Sequence, residues 1–129
     1  MKLKDKVSIH TGEDITDTGN HFEARAVRVH SYADARHAVR QILQNPKVAM
    51  CTHSTVAYRF TDKDKKQHEG GDDDGESSAA LEILKQMRDR KVDNVVVESR
   101  KFGQKLGPKR FSYIKNAAMS AIDKLIYSS

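Results

Sequence analysis

The stretch "NVVVESRKFGQKLGPKRFSYIKNAA", residues 94–118, carries the reading of the fold in three pieces. Val95, Val96 and Val97 are apolar without alternation, the pattern of an interior strand covered on both faces. The glycines at Gly103 and Gly107 then permit tight turns. Beyond Gly107-Pro108, apolar residues recur three and four apart at Ile114, Ala117, Ala118, Ala121, Ile122 and Leu125, the stripe of a core-facing helix. Proline is tolerated in a first helical turn, so it marks that helix's start.

The same spacing predicts two more helices. In "SYADARHAVRQILQNP", residues 31–46, the stripe is Ala35, Ala38, Val39 and Ile42. It stops at Asn45-Pro46 because proline disfavours helix at the residue before it. In "AALEILKQMRDRKV", residues 79–92, it is Ala80, Ile83, Leu84 and Met87. "TVAYRF", residues 55–60, alternates, which predicts a half-buried strand with Val56, Tyr58 and Phe60 on one face and Thr55, Ala57 and Arg59 on the other. "HFEARAVRV", residues 21–29, alternates from Phe22 to Ala26 and changes phase at Val27, the mark of a bulge or of burial on both faces. Fainter strand patterns fall about residues 6–10 and 66–70, and the polar run at residues 61–71 reads as an exposed, mobile hairpin connection. The order β-β-α-β-β-α-β-α implies an α+β fold, a two-layer sandwich of a mixed sheet with helices packed on one face.

The 129 residues suit one domain able to bury a core without disulfides, and Cys51 has no partner for an internal one. No amino-terminal signal pattern and no apolar run of bilayer length occur, so the expectation is a cytoplasmic chain with no membrane role. The net charge of +5 is unevenly spread: residues 1–61 carry +3, residues 62–84 carry −5 and residues 85–129 carry +7. A carboxy-terminal third so basic fits an anionic partner, though a solvated face would also tolerate it.

The acidic centre of that polarity is "GGDDDGESSAAL", residues 70–81. Consecutive Asp72, Asp73 and Asp74 do not fit the alternate ligand spacing of a calcium loop. A magnesium site of one or two carboxylates demands less and stays open. The local alternative is a helix entry, where carboxylates favour the positive end of the helix at residue 80 by about 0.3–1 kcal/mol each. Ser77 or Ser78 would be its N-cap. Cys51 and His53 share a strand face but lack an orienting group and an oxyanion hole, so no nucleophilic site is assembled. The six histidines show no ligand spacing, and no phosphate-loop or dinucleotide fingerprint occurs. No catalytic residue, metal site or cofactor is therefore assigned.

The basic loop "ESRKFGQKLGPKRF", residues 98–111, offers the clearest binding chemistry. Arg100, Lys101, Lys105, Lys109 and Arg110 supply cations, while Gly103, Gly107 and the helix start supply oriented N–H donors, together an anion or nucleic-acid site. The competing reading is an exposed loop made basic for solubility, with Phe102 in the core.

Three blocks in this order and spacing resemble the IMPACT family: "VAMCTHSTVAYRF", "DDDGESSAA" and "NVVVESRKFGQKLGPKRFSYIKNAA". "GEDITDTGNHFEARAVRV" is similar to that family's opening strands, so the likeness spans nearly the whole chain as one domain, residues 1–129. The Leu-Gly-Pro-Lys-Arg-Phe run looks closest to the carboxy-terminal domain of eukaryotic members; the RWD domain that those members also carry has no counterpart in these 129 residues, as expected either of an excised domain or of a stand-alone member. The resemblance implies a left-handed β-α-β crossover sandwich like that of a small-subunit ribosomal protein domain. It also implies a non-enzymatic regulator of translation, one that restrains the kinase of initiation factor 2 alpha by binding the kinase's large activating scaffold. An RNA or ribosome binder is the alternative. The family's characteristic positions fall on Thr52, His53, Tyr58, Arg59, Asp73, Asp74, Gly75, Glu76, Arg100, Gly103, Leu106 and Gly107. Gln104 and Lys101 depart from its pattern, which has a second glycine and an aromatic there. In this light Asp73, Asp74 and Glu76 are expected to form a helix entry and a salt-bridge partner for the Arg100 region.

Overall fold

A computed structural model of the chain describes residues 7–75, 78–104 and 106–128. In chain order its elements are β1 (His10–Thr11), β2 (Ile15–Asp17), β3 (Asn20–Arg28), α1 (Tyr32–Leu43), a 3-10 turn (Pro46–Met50), β4 (His53–Thr61), β5 (Gln67–Asp72), α2 (Ala79–Asp89), β6 (Val95–Phe102) and α3 (Lys109–Tyr127). The valine strand β6 occupies the centre of the sheet, in the order β1-β3-β6-β4-β5, with β2 also on β3. β3 and β4 flank β6 and both run antiparallel to it. They are thus parallel to each other, joined across β6 through α1. The α+β, two-layer architecture read from the sequence is the one present. Where a mixed sheet was expected, every ladder among the described residues is antiparallel.

Pairing register decides which residues share a face. The β3–β6 ladder runs unbroken from His21 opposite Phe102 to Arg28 opposite Val95, so the phase change at Val27 is burial on both faces rather than a bulge against β6. One face carries Phe22, Ala24, Ala26, Ala57, Val95 and Val97 under α2 and α3. The other carries Val27, Phe60 and Val96 against Ala35, Ala38 and Ile42 of α1. Helices therefore do not all lie on one face as the sequence suggested: α2 and α3 form the full layer, and α1 packs on the opposite side. The stripes themselves are those read from the sequence, with Ile83, Met87, Ile114 and Ile122 at most 1% exposed. Burying such side chains is worth about 1.5–3 kcal/mol each.

Strand β4 buries its Thr55, Ala57 and Arg59 face throughout and, on the other face, Phe60 at 1% exposed. Thr55 and Ala57 are inaccessible and Arg59 is 9% exposed, whereas Val56 and Tyr58 are only half-buried. Arg59 lies inside because its donors are met by Glu69 Oε1 at 3.0 Å, Gln67 Oε1 at 2.9 Å and the Val92 carbonyl at 2.9 Å. The polar run after β4 is shorter as a connection than residues 61–71 suggested. It turns at residues 62–66, held by the Asp62 N–H donating to the Lys66 carbonyl at 2.9 Å, and then continues as β5. Gly71 lets β5 approach α2, for a side chain there would meet the Val56 carbonyl oxygen at 2.2 Å and Ala80 Cβ at 3.1 Å.

At the other edge, β1 and β2 line β3 with one extra residue between them, since Thr11 faces Arg25 but Ile15 faces Phe22. β2 is absent from the strands read in the sequence, and the weak strand at residues 6–10 is realised only at His10–Thr11, residue 6 lying outside the described residues. Gly12 sits in that interruption against the backbone of α3.

Candidate functional site

The acidic and basic stretches of the sequence meet at one end of the sheet, where β6 finishes, β4 begins and α3 starts. Thr52 fastens the basic side: its N–H donates to the Lys101 carbonyl at 2.7 Å and its hydroxyl to the Gly103 carbonyl at 2.8 Å. His53 and Ser54 fasten the acidic side. His53 Nδ1 lies 2.7 Å from the Asp74 carbonyl oxygen, which can only accept, so Nδ1 carries the proton. The Ser54 N–H donates to Asp74 Oδ2 at 2.9 Å. A cleft of about 530 Å³ separates the two sides, lined by His53 and Gly75 on one and by Lys101, Gly103, Gln104 and Arg110 on the other.

The carboxylates of the acidic turn are engaged locally. Asp72 Oδ1 accepts from the Asp74 N–H at 3.0 Å and Asp73 Oδ1 from the Gly75 N–H at 3.3 Å, while Asp74 and Gly75 take positive φ values of 48° and 87°. This self-capped turn docks on β4 rather than capping α2. The N-cap of α2 is Ser78, whose side chain makes no capping bond; Ser77 and Glu76 lie outside the described residues.

Arg100 corrects the expectation of a surface cation. It is 0% exposed on the α1 side of β6, its Nε donating to Glu98 Oε2 at 2.7 Å and its Nη2 to the Ile42 carbonyl at 3.0 Å. It cannot reach a phosphate backbone, and its carboxylate partner is Glu98 rather than the acidic turn. Lys101 is 3% exposed, with Nζ donating to the Gln104 carbonyl at 3.0 Å. Arg110 donates to the Gly107 carbonyl at 2.8 Å, and its guanidinium lies 4.3 Å from the Phe111 ring centroid. Lys109 pairs with Asp17 at 3.6 Å. Hydrogen bonds from Thr18 and Tyr113, then the Lys109 charge, hold the Asp17 carboxyl below its ordinary range. Gly103 is required where it stands, at φ 117° with Asn20 Oδ1 2.5 Å from where a side chain would begin. Lys105 lies outside the described residues.

The charged side chains on the α1 face of the sheet form a second cluster that the sequence reading missed, although Glu98 and Arg100 stand two apart on one strand. Ser54 Oγ donates to Glu98 Oε2 at 2.5 Å, and Arg25 approaches Glu98 at 4.0 Å and bonds Glu23. Burial raises the Glu23 carboxyl, but the Arg25 hydrogen bond and charge, with help from His21 and Lys47, bring it below its usual value. Asp14, His21 and Glu23 place two carboxylates and an imidazole nitrogen within 4.8 Å of one another, a possible metal-ligand geometry. Arg25 and Lys47, the latter 3.9 Å from Glu23, already supply positive charge there, so a metal ion would have to compete with both.

Nothing in these contacts builds a nucleophile. Burial, then the Glu98 charge, pushes the Cys51 thiol up, and Sγ lies 3.1 Å from the Val48 carbonyl. Tyr58 stacks with Phe60 at 5.8 Å. No helix among the described residues is long and apolar enough to cross a membrane.

Comparison with known proteins places the chain in context. A family model described as the Impact N-terminal domain matches residues 18–122. A protein IMPACT homolog of Schizosaccharomyces pombe is 36% identical over 121 residues, 92% of this chain and 43% of that protein. One from Caenorhabditis elegans is 38% identical over 117 residues, covering 87% and 46%. The human protein IMPACT is 32% identical over 132 residues, covering 100% and 41%. The chain thus spans less than half the length of these relatives. Among solved structures, the two-domain translational regulator Yih1 superposes with a TM-score of 0.66 at 26% identity, over 95% of this chain and 48% of that one. A hypothetical protein of known structure shares the fold at a TM-score of 0.70 and 18% identity.

Proposed function

The chain belongs to the IMPACT family, and from that premise we propose that it is a non-enzymatic, cytoplasmic regulator of translation that works by binding other proteins. In its finer form, it restrains the stress kinase of initiation factor 2 alpha by occupying the large scaffold that activates the kinase. The observation that carries the reading is the likeness to the translational regulator Yih1 along 95% of the chain. The site chemistry is in keeping with it. The residues of the sequence signature are engaged in holding strands and loops together, as Thr52, Asp74, Arg59 and Arg100 are, and this favours a shaped docking surface over a reaction centre.

The alternative, an RNA or ribosome binder acting through residues 100–110, has weaker support. Arg100 is buried, while Lys101 and Arg110 each donate to a loop carbonyl, which takes three cations of that loop wholly or partly out of phosphate contact. A binder of that kind loses affinity steeply with salt, with a log–log slope near −0.9 per neutralised phosphate of a duplex and about −0.7 on a single strand.

The test is expression of the chain in amino-acid-starved cells, reading phosphorylation of initiation factor 2 alpha. Phosphorylation falls if the proposal holds, and the associated scaffold is retained after nuclease treatment. Unchanged phosphorylation at full expression, or complete release by nuclease, refutes the regulator reading.

A further inference from the structure

On the sheet face opposite α2 and α3, α1 leaves a groove of about 350 Å³ between its flank and the β4–β5 hairpin. Val56, Tyr58 and Val96 form the floor, and Tyr32 and Val39 the helix wall. The lining is apolar, and the volume falls at the low end of the roughly 300–1,000 Å³ typical of ligand pockets. Tyr32, 48% exposed, leans edge-on over Tyr58 and Phe60 with centroids 5.8 and 5.0 Å away, so a large aromatic borders the opening. Such a surface stands out on a chain of mean hydropathy −0.72 with 32% charged residues.

The rim carries a sign. Arg36 and Arg40, one turn apart on α1, border the groove and are exposed, and neither has a recorded ion pair or side-chain hydrogen bond among the described residues. They differ in this from the basic loop, where Lys101, Lys109 and Arg110 have partners. On the facing rim, Asp72 keeps its negative charge with Oδ1 engaged by the Asp74 N–H, and Gly71 offers no side chain, so the two arginines outnumber a single carboxylate. The groove thus pairs a hydrophobic floor with two available guanidinium groups, which favour carboxylates bidentately.

We propose that this groove docks an acidic segment of a partner protein, seating an aliphatic or aromatic side chain on Val56, Tyr58 and Val96 while carboxylates meet Arg36 and Arg40. The inference rests on the reading that the chain acts through protein contacts, and it adds where and what kind.

The probes are two synthetic peptides of about 12 residues with the same Leu, Asp and Glu content, one with its leucines at alternate positions and one at helical spacing. Binding to the chain is read by fluorescence anisotropy and by amide chemical-shift mapping. At least one peptide binds, shifting amides at Tyr32, Val39, Val56 and Tyr58. The Arg36→Glu/Arg40→Glu chain, altered only at exposed positions and checked for an unchanged melting curve, binds roughly tenfold or more weakly. A serine-for-leucine peptide and a lysine-for-acid peptide both fail. Binding by neither peptide, shifts confined to another face, or affinity indifferent to the double reversal overturns the proposal. So does concentration-dependent dimerisation that shifts the same amides without peptide, because a second copy is then the occupant. If the double variant loses peptide but still lowers phosphorylation in starved cells, the groove's occupant is not the partner through which the chain regulates, which overturns the groove as the regulatory contact while the regulator reading stands. If peptide binding is intact but the chain leaves phosphorylation unchanged, the reverse holds.

Discussion

Replacing Arg100 by methionine separates a structural arginine from a ligand-binding one. The side chain has no exposed surface, and methionine keeps much of its volume while removing the charge. What remains is Glu98, also 0% exposed, with Ser54 Oγ at 2.5 Å and Arg25 no nearer than 4.0 Å, and the Ile42 carbonyl loses its 3.0 Å donor. Breaking a buried pair by removing one partner costs about 3–5 kcal/mol, because the other charge is left uncompensated. That is a large part of the roughly 5–15 kcal/mol a domain has in total. With an unfolding entropy of about 2.1 cal/mol/K per residue, the melting temperature should fall by roughly 10–20 °C. Urea unfolding followed by circular dichroism at neutral pH measures the loss. Glu98→Gln in the same background should recover part of it, since the orphaned charge is gone. A loss under about 1 kcal/mol would refute the assignment of Arg100 to the core and return it to the candidate ligands of the loop.

Gly12→Ala puts a methyl group 2.5 Å from the Ala121 backbone nitrogen and 2.9 Å from its Cα, atoms of a helix that cannot step aside, so urea titration should show a loss of about 1–3 kcal/mol. The Glu23 carboxyl, raised by burial but brought lower overall by Arg25, contributes stability that is full above the unfolded carboxylate value of about 4.3 and is lost as pH falls through the lower folded value. Acid unfolding of Glu23→Gln should therefore be shallower, and parallel curves would count against the ion pair. Cys51, its thiol raised by burial, should react with iodoacetamide at least about tenfold more slowly in the folded chain than in urea. Asp74→Ala removes the acceptor of the Ser54 N–H, which should cost about 1 kcal/mol and speed hydrogen exchange at that amide.

The helices and the central strand were legible because a three-four stripe or an unbroken valine run leaves few alternatives. Which side of the sheet each helix covers was not, because periodicity gives a helix an inner face without saying what lies under it. The register of β3 on β6 settles that, placing Val27 and Val96 toward α1 and Ala26 and Val97 toward α3. β2 escaped notice because it is three residues long and is defined mainly by its two-residue turn at Thr18 and Gly19, with φ values of 50° and 81°.

Charge misled the reading for a different reason. Side-chain type says that a guanidinium must be satisfied, not whether water, phosphate or a buried acceptor satisfies it. Arg59 and Arg100 find carbonyl and carboxylate partners inside the fold, so their presence in a basic, glycine-containing sequence says little about an external anion. Arg36 and Arg40 drew no attention in the sequence because they flank an ordinary helical stripe, yet they are exposed beside an apolar groove. Electrostatic attraction to a partner is supplied by cations whose donors remain available, and desolvating one already paired inside the protein forfeits an existing interaction. Reversing the charge of Arg36 and Arg40 should therefore weaken a protein contact more than reversing Lys109, whose ammonium already faces Asp17 at 3.6 Å.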